Sequence, residues 1–149
     1  GQGEILVTPL QLLQFANLIA THGYTNKLHF HYGTKEELFL SINYSNKTWK
    51  LIDRFLLAAV SQPGATGKLA DPHIKGLEVY GKTGTAQNPH GEPHAWFFGF
   101  GKYGDEIISV VGLIENGGHG SEVSAPIARL AFEIYFSQKN NDQFTYGNN

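Results

Sequence analysis

The sequence predicts an α+β domain, an antiparallel sheet with helices packed on it. Two observations carry this. Three β-rich segments follow one another between residues 77 and 114, joined only by short turn-forming links, as in an antiparallel meander. Three other segments place apolar residues at helical spacing, two before that block and one after it.

The first helix is expected over about 9–22. Thr8 offers an N-cap hydroxyl, Pro9 suits the first helical position, and Gly23 stops the run. Leu10, Leu12, Leu13, Phe15, Ala16, Leu18 and Ile19 cover most of its circumference, which predicts a buried helix. Leu28, Phe30 and Tyr32 alternate with His29 and His31, the period of a short half-buried strand. Residues 33–46 read as polar and irregular. Trp49, Ile52, Phe55, Leu56 and Ala59 predict a second helix over about 47–61, ended before Pro63-Gly64. The Gly- and Pro-rich residues 62–76 read as a loop.

Leu77-Glu78-Val79-Tyr80 opens a strand that runs through Lys82. Asn88-Pro89-His90-Gly91 has turn chemistry. The next strand, Ala95–Phe100, is apolar on both faces, as a central strand is. Tyr103-Gly104-Asp105 turns the chain into Ile107–Ile114, which is β-branched and again apolar on both faces. A last helix is expected from Ser121 or Glu122, with Val123, Ile127, Leu130, Ala131 and Ile134 as its buried stripe. The Asn-rich residues 138–149 read as a frayed, flexible tail.

The bulk properties exclude several function classes. The chain has 149 residues, enough for one domain or part of one. Hydrophobic residues make up 41% and charged residues 16%, a globular composition. The formal charge is −2 with no long block of either sign, so no nucleic-acid partner or polybasic membrane patch is expected. There is no cysteine, which excludes disulfides, thiol catalysis and thiolate metal sites within this chain. No apolar run reaches the roughly 18 residues that span a bilayer. The opening Gly1-Gln2-Gly3-Glu4 reads as the interior of a longer chain. Seven histidines invite a metal site, but neither His29 with His31 nor His90 with His94 supplies three ligands. They are expected to be surface or hydrogen-bonded residues, and no cofactor is implied. Trp96, Phe97, Phe98 and Phe100 lack interleaved Lys or Arg, which favours core packing over stacking on nucleic acid.

One run carries chemistry. Gly76–Thr83 matches the phosphate-loop pattern G-x-x-x-x-G-K-[ST] by letter. That motif needs a buried strand before it and a helix straight after the Lys. Here the middle residues alternate like a strand, and Gly84 and Asn88-Pro89 follow, so a nucleotide site lacks its context. The competing reading is the Lys-Thr-Gly element of penicillin-interacting serine enzymes, which lies on a strand beside a cleft. There Lys82 places a positive charge near reacting groups. Gly84 lets backbone approach closely, and Thr83 and Thr85 offer hydroxyls for a carboxylate. A strand N–H can act as an oxyanion donor. Alternation puts Lys82 and Gly84 on one face and Thr83 and Thr85 on the other. All four serve one site only if that site lies off the strand's edge.

The surrounding blocks extend the match. Gly1-Gln2-Gly3, with Thr8-Pro9-Leu10-Gln11-Leu12 and Ala16-Asn17, resembles the segment after the second active-site motif of class B penicillin-binding proteins. Lys82–Gly91 followed by His94-Ala95-Trp96-Phe97 resembles their third motif and next strand. Glu115–Gly118 and Ala125–Ala128 resemble their last strand and C-terminal helix. The order agrees over about residues 1–137, and the likeness runs to the elongation-type group, penicillin-binding protein 2.

This resemblance implies part of the penicillin-binding transpeptidase/β-lactamase-like fold. It implies D,D-transpeptidation of peptidoglycan stem peptides through a serine acyl-enzyme, with β-lactam antibiotics acylating the same serine. Lys82 would be the third-motif lysine. Thr83, Gly84 and Thr85 would bind the substrate, and the Thr85 backbone N–H would be half of the oxyanion hole. Trp96 and its neighbours would back the strand. Other implied partners are the upstream half of the same domain and cell-wall elongation proteins. The implied location is the periplasmic face of the cytoplasmic membrane, anchored through an N-terminal segment outside this chain.

The family's S-x-x-K does not occur here, and Ser41-Ile42-Asn43 falls after the landmark that its S-x-N should precede. The nucleophile-bearing half is therefore expected upstream, and this chain alone is expected to be inactive. Alternatives are a β-lactamase or β-lactam-sensor domain, a phosphate-loop nucleotide-binding protein, and a non-catalytic interaction fragment.

Overall fold

The computed structural model describes the backbone of residues 5–145 and the side chains of residues 5–137. The elements run α1 (Pro9–Ala20), β1 (Tyr24–Asn26), β2 (Leu38–Ser41), α2 (Asn46–Ser61), a 3₁₀ turn (Lys68–Ala70), β3 (Leu77–Ala86), β4 (His94–Tyr103), β5 (Glu106–Ile114) and α3 (Ser124–Thr145). The architecture is the expected α+β.

The meander is present in the order β3-β4-β5, antiparallel throughout. β4 is central, which is why both of its faces are apolar. Its odd-numbered Phe97 packs with Val79, Ala125, Ala128, Phe132 and Phe136 under α3. Its even-numbered Phe100 packs with Tyr80, Ile19 and Ala20 on the opposite side, with Ile52, Leu56 and Leu57 of α2 against them. Phe97, Phe100 and Phe132 are fully buried, and each such side chain contributes roughly 1.5–3 kcal/mol. β4 and β5 are linked through Gly104 at φ 58°, the positive φ that a type II′ hairpin turn requires at its first central residue.

α1 is capped as its sequence indicates. The Thr8 hydroxyl accepts from the Gln11 N–H at 3.2 Å, and the Gln11 side chain accepts from the Thr8 N–H at 2.8 Å, a reciprocal capping box. The helix ends at Ala20, and Gly23 donates back to the Leu18 carbonyl at 2.8 Å. It is buried on one side only, through Ala16, Leu18, Ile19 and Ala20, whereas Leu10 and Phe15 are about half exposed. In α2, Ser45 caps the start. Phe55 faces outward although it shares the apolar spacing of Ile52 and Leu56.

Three readings need correction. Residues 28–32 form no strand, and Phe30 and Tyr32 are 83% and 108% exposed. The chain pairs 24–26 with 38–41 instead, so 27–37 is the connection and part of 33–46 is strand. Alternation sets a face but does not supply a partner strand.

The buried stripe of α3 is Ala125, Ala128, Phe132 and Phe136, and Ile127, Leu130 and Ile134 are 47–60% exposed on the other side. Both stripes have helical period. The sheet selects the one whose Phe132 and Phe136 fit over Gly101, where a Cβ would come within 3.0–3.1 Å of their rings. Finally, α3 starts at Ser124 and its backbone continues to Thr145, past the point where the tail was expected to begin. Residues 146–149 lie outside the described part.

Candidate active-site wall

β3 is an edge of the three-stranded sheet, and the motif occupies its second half. The strand runs unbroken from Leu77 to Ala86 with no helix after Lys82, so the phosphate-loop reading fails on structure. Register pairs Lys82 with Phe98, Thr83 with Phe97, Gly84 with Trp96 and Thr85 with Ala95. Trp96 thus backs Gly84, at the one position where a Cβ on Gly84 would press its own Cβ at 3.3 Å.

The strand's edge brings together two side chains that start on opposite faces. The exposed Lys82 ammonium donates to the Thr83 carbonyl at 3.0 Å and approaches the Thr83 hydroxyl at 3.5 Å. Thr83 donates its hydroxyl to Thr66 Oγ1 at 2.9 Å, and Lys82 Nζ lies 3.4 Å from the same oxygen. Thr66 sits in the loop before the 3₁₀ turn, a segment whose composition gave only loop. It is the residue that sequence reasoning missed here, and an isolated Thr in a Gly/Pro-rich stretch carries no signal of its own.

Gly84 and Thr85 lie elsewhere in the local geometry. With Ala86, Gln87, His94 and Trp96 they line an open cleft of about 740 Å³, closed on the other side by Ile5, Leu6, Val7 and Leu12. Lys82 and Thr83 do not line it. The Thr85 hydroxyl accepts from the Gly120 N–H at 3.4 Å. Gly120 is the tightest glycine against the motif. A Cβ there would lie 2.3 Å from the Gly84 carbonyl oxygen and 2.4 Å from that of Trp96. The close approach expected at Gly84 is therefore made onto Gly84, from the loop before α3.

Two turns meet beside this point. Asn116 is left-handed, with φ 54°, and its N–H donates to His94 Nδ1 at 3.0 Å. The Asn88 side-chain amide donates to Asn116 Oδ1 at 2.7 Å, and the Gly118 N–H donates to the Pro93 carbonyl at 2.9 Å.

Further along β3, Tyr80 donates its hydroxyl to Glu78 at 2.8 Å. Burial first, then the Glu78 carboxylate and more weakly Asp53, push the Tyr80 phenol well above its ordinary value.

Residues 1–133 match the family described as the penicillin binding protein transpeptidase domain. This chain belongs to that family. It is 28% identical to the peptidoglycan D,D-transpeptidase MrdA of Haemophilus influenzae over 93% of its own length and 25% of that protein's. Among solved structures, the Helicobacter pylori complex between penicillin-binding protein 2 and MreC matches with a TM-score of 0.76 and 28% identity. That match covers 91% of this chain and 26% of the other. Pseudomonas aeruginosa penicillin-binding protein 2, in complex with WCK 5153, matches at 0.73 and 27%, over 91% and 32%. The chain therefore spans roughly a quarter to a third of these relatives. The family is the one that the motif blocks indicated, and the α+β arrangement described above matches the corresponding part of those structures.

Proposed function

We propose that this chain supplies the third-motif wall of a serine D,D-transpeptidase site in a longer cell-wall enzyme. The observation that carries the reading is the edge position of Lys82-Thr83-Gly84-Thr85 on β3, with the Lys82 ammonium and Thr83 hydroxyl gathered at one point. An ammonium and a hydroxyl at a strand edge suit a carboxylate, such as the end of a stem peptide or the acid group of a β-lactam. In this reading a serine from the upstream half attacks the penultimate D-alanine carbonyl. Lys82 stabilises the developing charge and assists proton transfer. Thr83, Gly84 and Thr85 hold the substrate, and the Thr85 N–H donates to the oxyanion. Both the transpeptide donor and β-lactams occupy this wall.

The sequence holds no S-x-x-K, so the nucleophile comes from outside it and the isolated chain performs no acylation. The longer protein acts on the periplasmic face of the cytoplasmic membrane, held by an N-terminal anchor, and works with elongation partners of the kind named in the MreC complex. Fluorescent penicillin tests this. It is expected to label the longer protein covalently and to leave this chain unlabelled. Labelling of the chain itself would place the nucleophile within it, and failure to label the longer protein would remove the transpeptidase reading.

A further inference from the structure

His94 lies outside the motif and has no role in the chemistry described above. It is the first residue of β4, pairs in register with Ala86, and lines the cleft with Gly84, Thr85 and Trp96. Its ring is committed in one sense only. The donor facing Nδ1 is a backbone N–H, that of Asn116 at 3.0 Å, which cannot reverse its polarity. Nδ1 must therefore be the unprotonated nitrogen, and the ring neutral with its proton on Nε2.

What this bond holds is the loop that seats on the motif. Asn116 begins the run 116–120, which returns across the β3–β4 turn. Gly118 binds the Pro93 carbonyl, and Gly120 donates to Thr85 Oγ1 while pressing on the Gly84 and Trp96 carbonyls. Asn88 holds Asn116 from the other side. His94, Asn88 and Pro93 thus clasp one loop, and that loop's far end fixes Thr85. We propose that His94 is a positioning residue for Thr85, and that its neutral form keeps the 116–120 loop closed on the motif strand.

Protonation turns Nδ1 from acceptor into donor, so two donors would face each other and the Asn116 N–H would lose its partner. The clasp therefore requires an unprotonated Nδ1. The other titratable groups on the two turns are His90, Glu92, Glu115, His119 and Glu122. All five are exposed. None of these five makes a side-chain hydrogen bond or ion pair with a described residue, so the acceptor at Nδ1 is the polar group through which acid reaches the loop.

The proposal rests on the transpeptidase reading for its effect on acylation, but the clasp itself can be measured without it. In the longer protein, acylation by fluorescent penicillin is followed from mildly alkaline to mildly acid pH in wild type, His94→Asn and His94→Phe. Amide exchange at Gly118 and Gly120 is followed in parallel. Wild type is expected to lose acylation rate and exchange protection together on acidification. His94→Phe, which keeps bulk but lacks the acceptor, is expected to be slower by roughly tenfold at every pH, with both amides exchanging fast. His94→Asn retains an acceptor that does not titrate. It is expected to recover most of that loss and to keep Gly118 and Gly120 protected into acid.

An acid loss of protection identical in His94→Asn and wild type would overturn the proposal. So would a His94→Phe protein with wild-type rate and protection. If the wild-type protein were never acylated, the transpeptidase reading would fall, and the exchange of Gly118 and Gly120 would still decide the clasp. If His94→Phe did not fold, His94→Asn against wild type would decide it.

Discussion

Lys82 and Thr83 leave opposite faces of β3, yet the Lys82 ammonium reaches the Thr83 carbonyl at 3.0 Å and its hydroxyl at 3.5 Å. The long lysine stem makes this possible by folding around a strand edge that pairs with no further strand among the described residues. Lys82 is exposed and packs against no core cluster. Replacing Lys82 with Ala in the longer protein is therefore expected to slow acylation by roughly 10²–10⁴-fold. Stability should change by no more than about 0.5 kcal/mol. Labelling kinetics and a denaturant midpoint measure the two effects separately, and an unchanged labelling rate would take Lys82 out of the site.

Thr66 is the oxygen on which both groups converge, at 2.9 Å from the Thr83 hydroxyl and 3.4 Å from Lys82 Nζ. Thr66→Val keeps the shape and removes the acceptor. A net hydrogen bond is worth about 0.5–1.5 kcal/mol, so acylation is expected to fall by roughly two- to tenfold, well short of Lys82→Ala. Equal rates in Thr66→Val and wild type would show that the loop oxygen does not orient the pair.

Gly120 has no room for a methyl group. A Cβ would lie 2.3 Å from the Gly84 carbonyl oxygen and 2.4 Å from that of Trp96. Both obstacles are backbone and cannot rotate away. Gly120→Ala is expected to cost about 1–3 kcal/mol of stability, the usual range for forced overpacking. Gly118→Ala differs in kind, because nothing stands near its Cβ direction and the strain there comes from φ 80°. Thermal melts of the two variants separate a steric defect from a conformational one.

The Tyr80 phenol is held protonated by burial and by the Glu78 carboxylate. Its folded value lies above the unfolded phenol's value of about 10, so the folded state retains a proton that the unfolded state releases. The resulting stabilisation is fully present below pH about 10 and is lost as pH rises beyond it. Tyr80→Phe is expected to flatten this alkaline decline in denaturant midpoints. An alkaline limb of the same slope in both proteins would contradict the assignment.

The meander was legible in the sequence because its strands are local, uninterrupted and separated by turn chemistry that has few solutions. The helices were legible as periods, but their faces were not. Ile127, Leu130 and Ile134 compete with Ala125, Ala128, Phe132 and Phe136 on period alone, and packing on Val60, Ala70, Val79, Phe97 and the space over Gly101 decides between them. Leu28, Phe30 and Tyr32 failed for a related reason, since a strand is defined by its partner. Of the site, the motif strand could be read from its letters. Thr66, Gly120, Asn116 and the clasp at His94 could not. Each makes its contact with a segment far away in sequence, Thr66, Asn116 and Gly120 from loops and His94 from the first position of β4.

The short links of the meander also bear on the order in which the molecule forms. Among the described residues, the strands of 77–114 pair with their immediate neighbours in sequence, through a seven-residue turn at 87–93 and the two-residue link Gly104-Asp105. Closing such loops loses little chain entropy, and hairpins of this kind form on the microsecond scale. The strand bearing Lys82 can acquire its register before α1 and α2 dock on one face and α3 on the other. The register of the strand bearing Lys82 is thus specified by pairing within residues 77–114, without a contribution from the helices that cover the sheet.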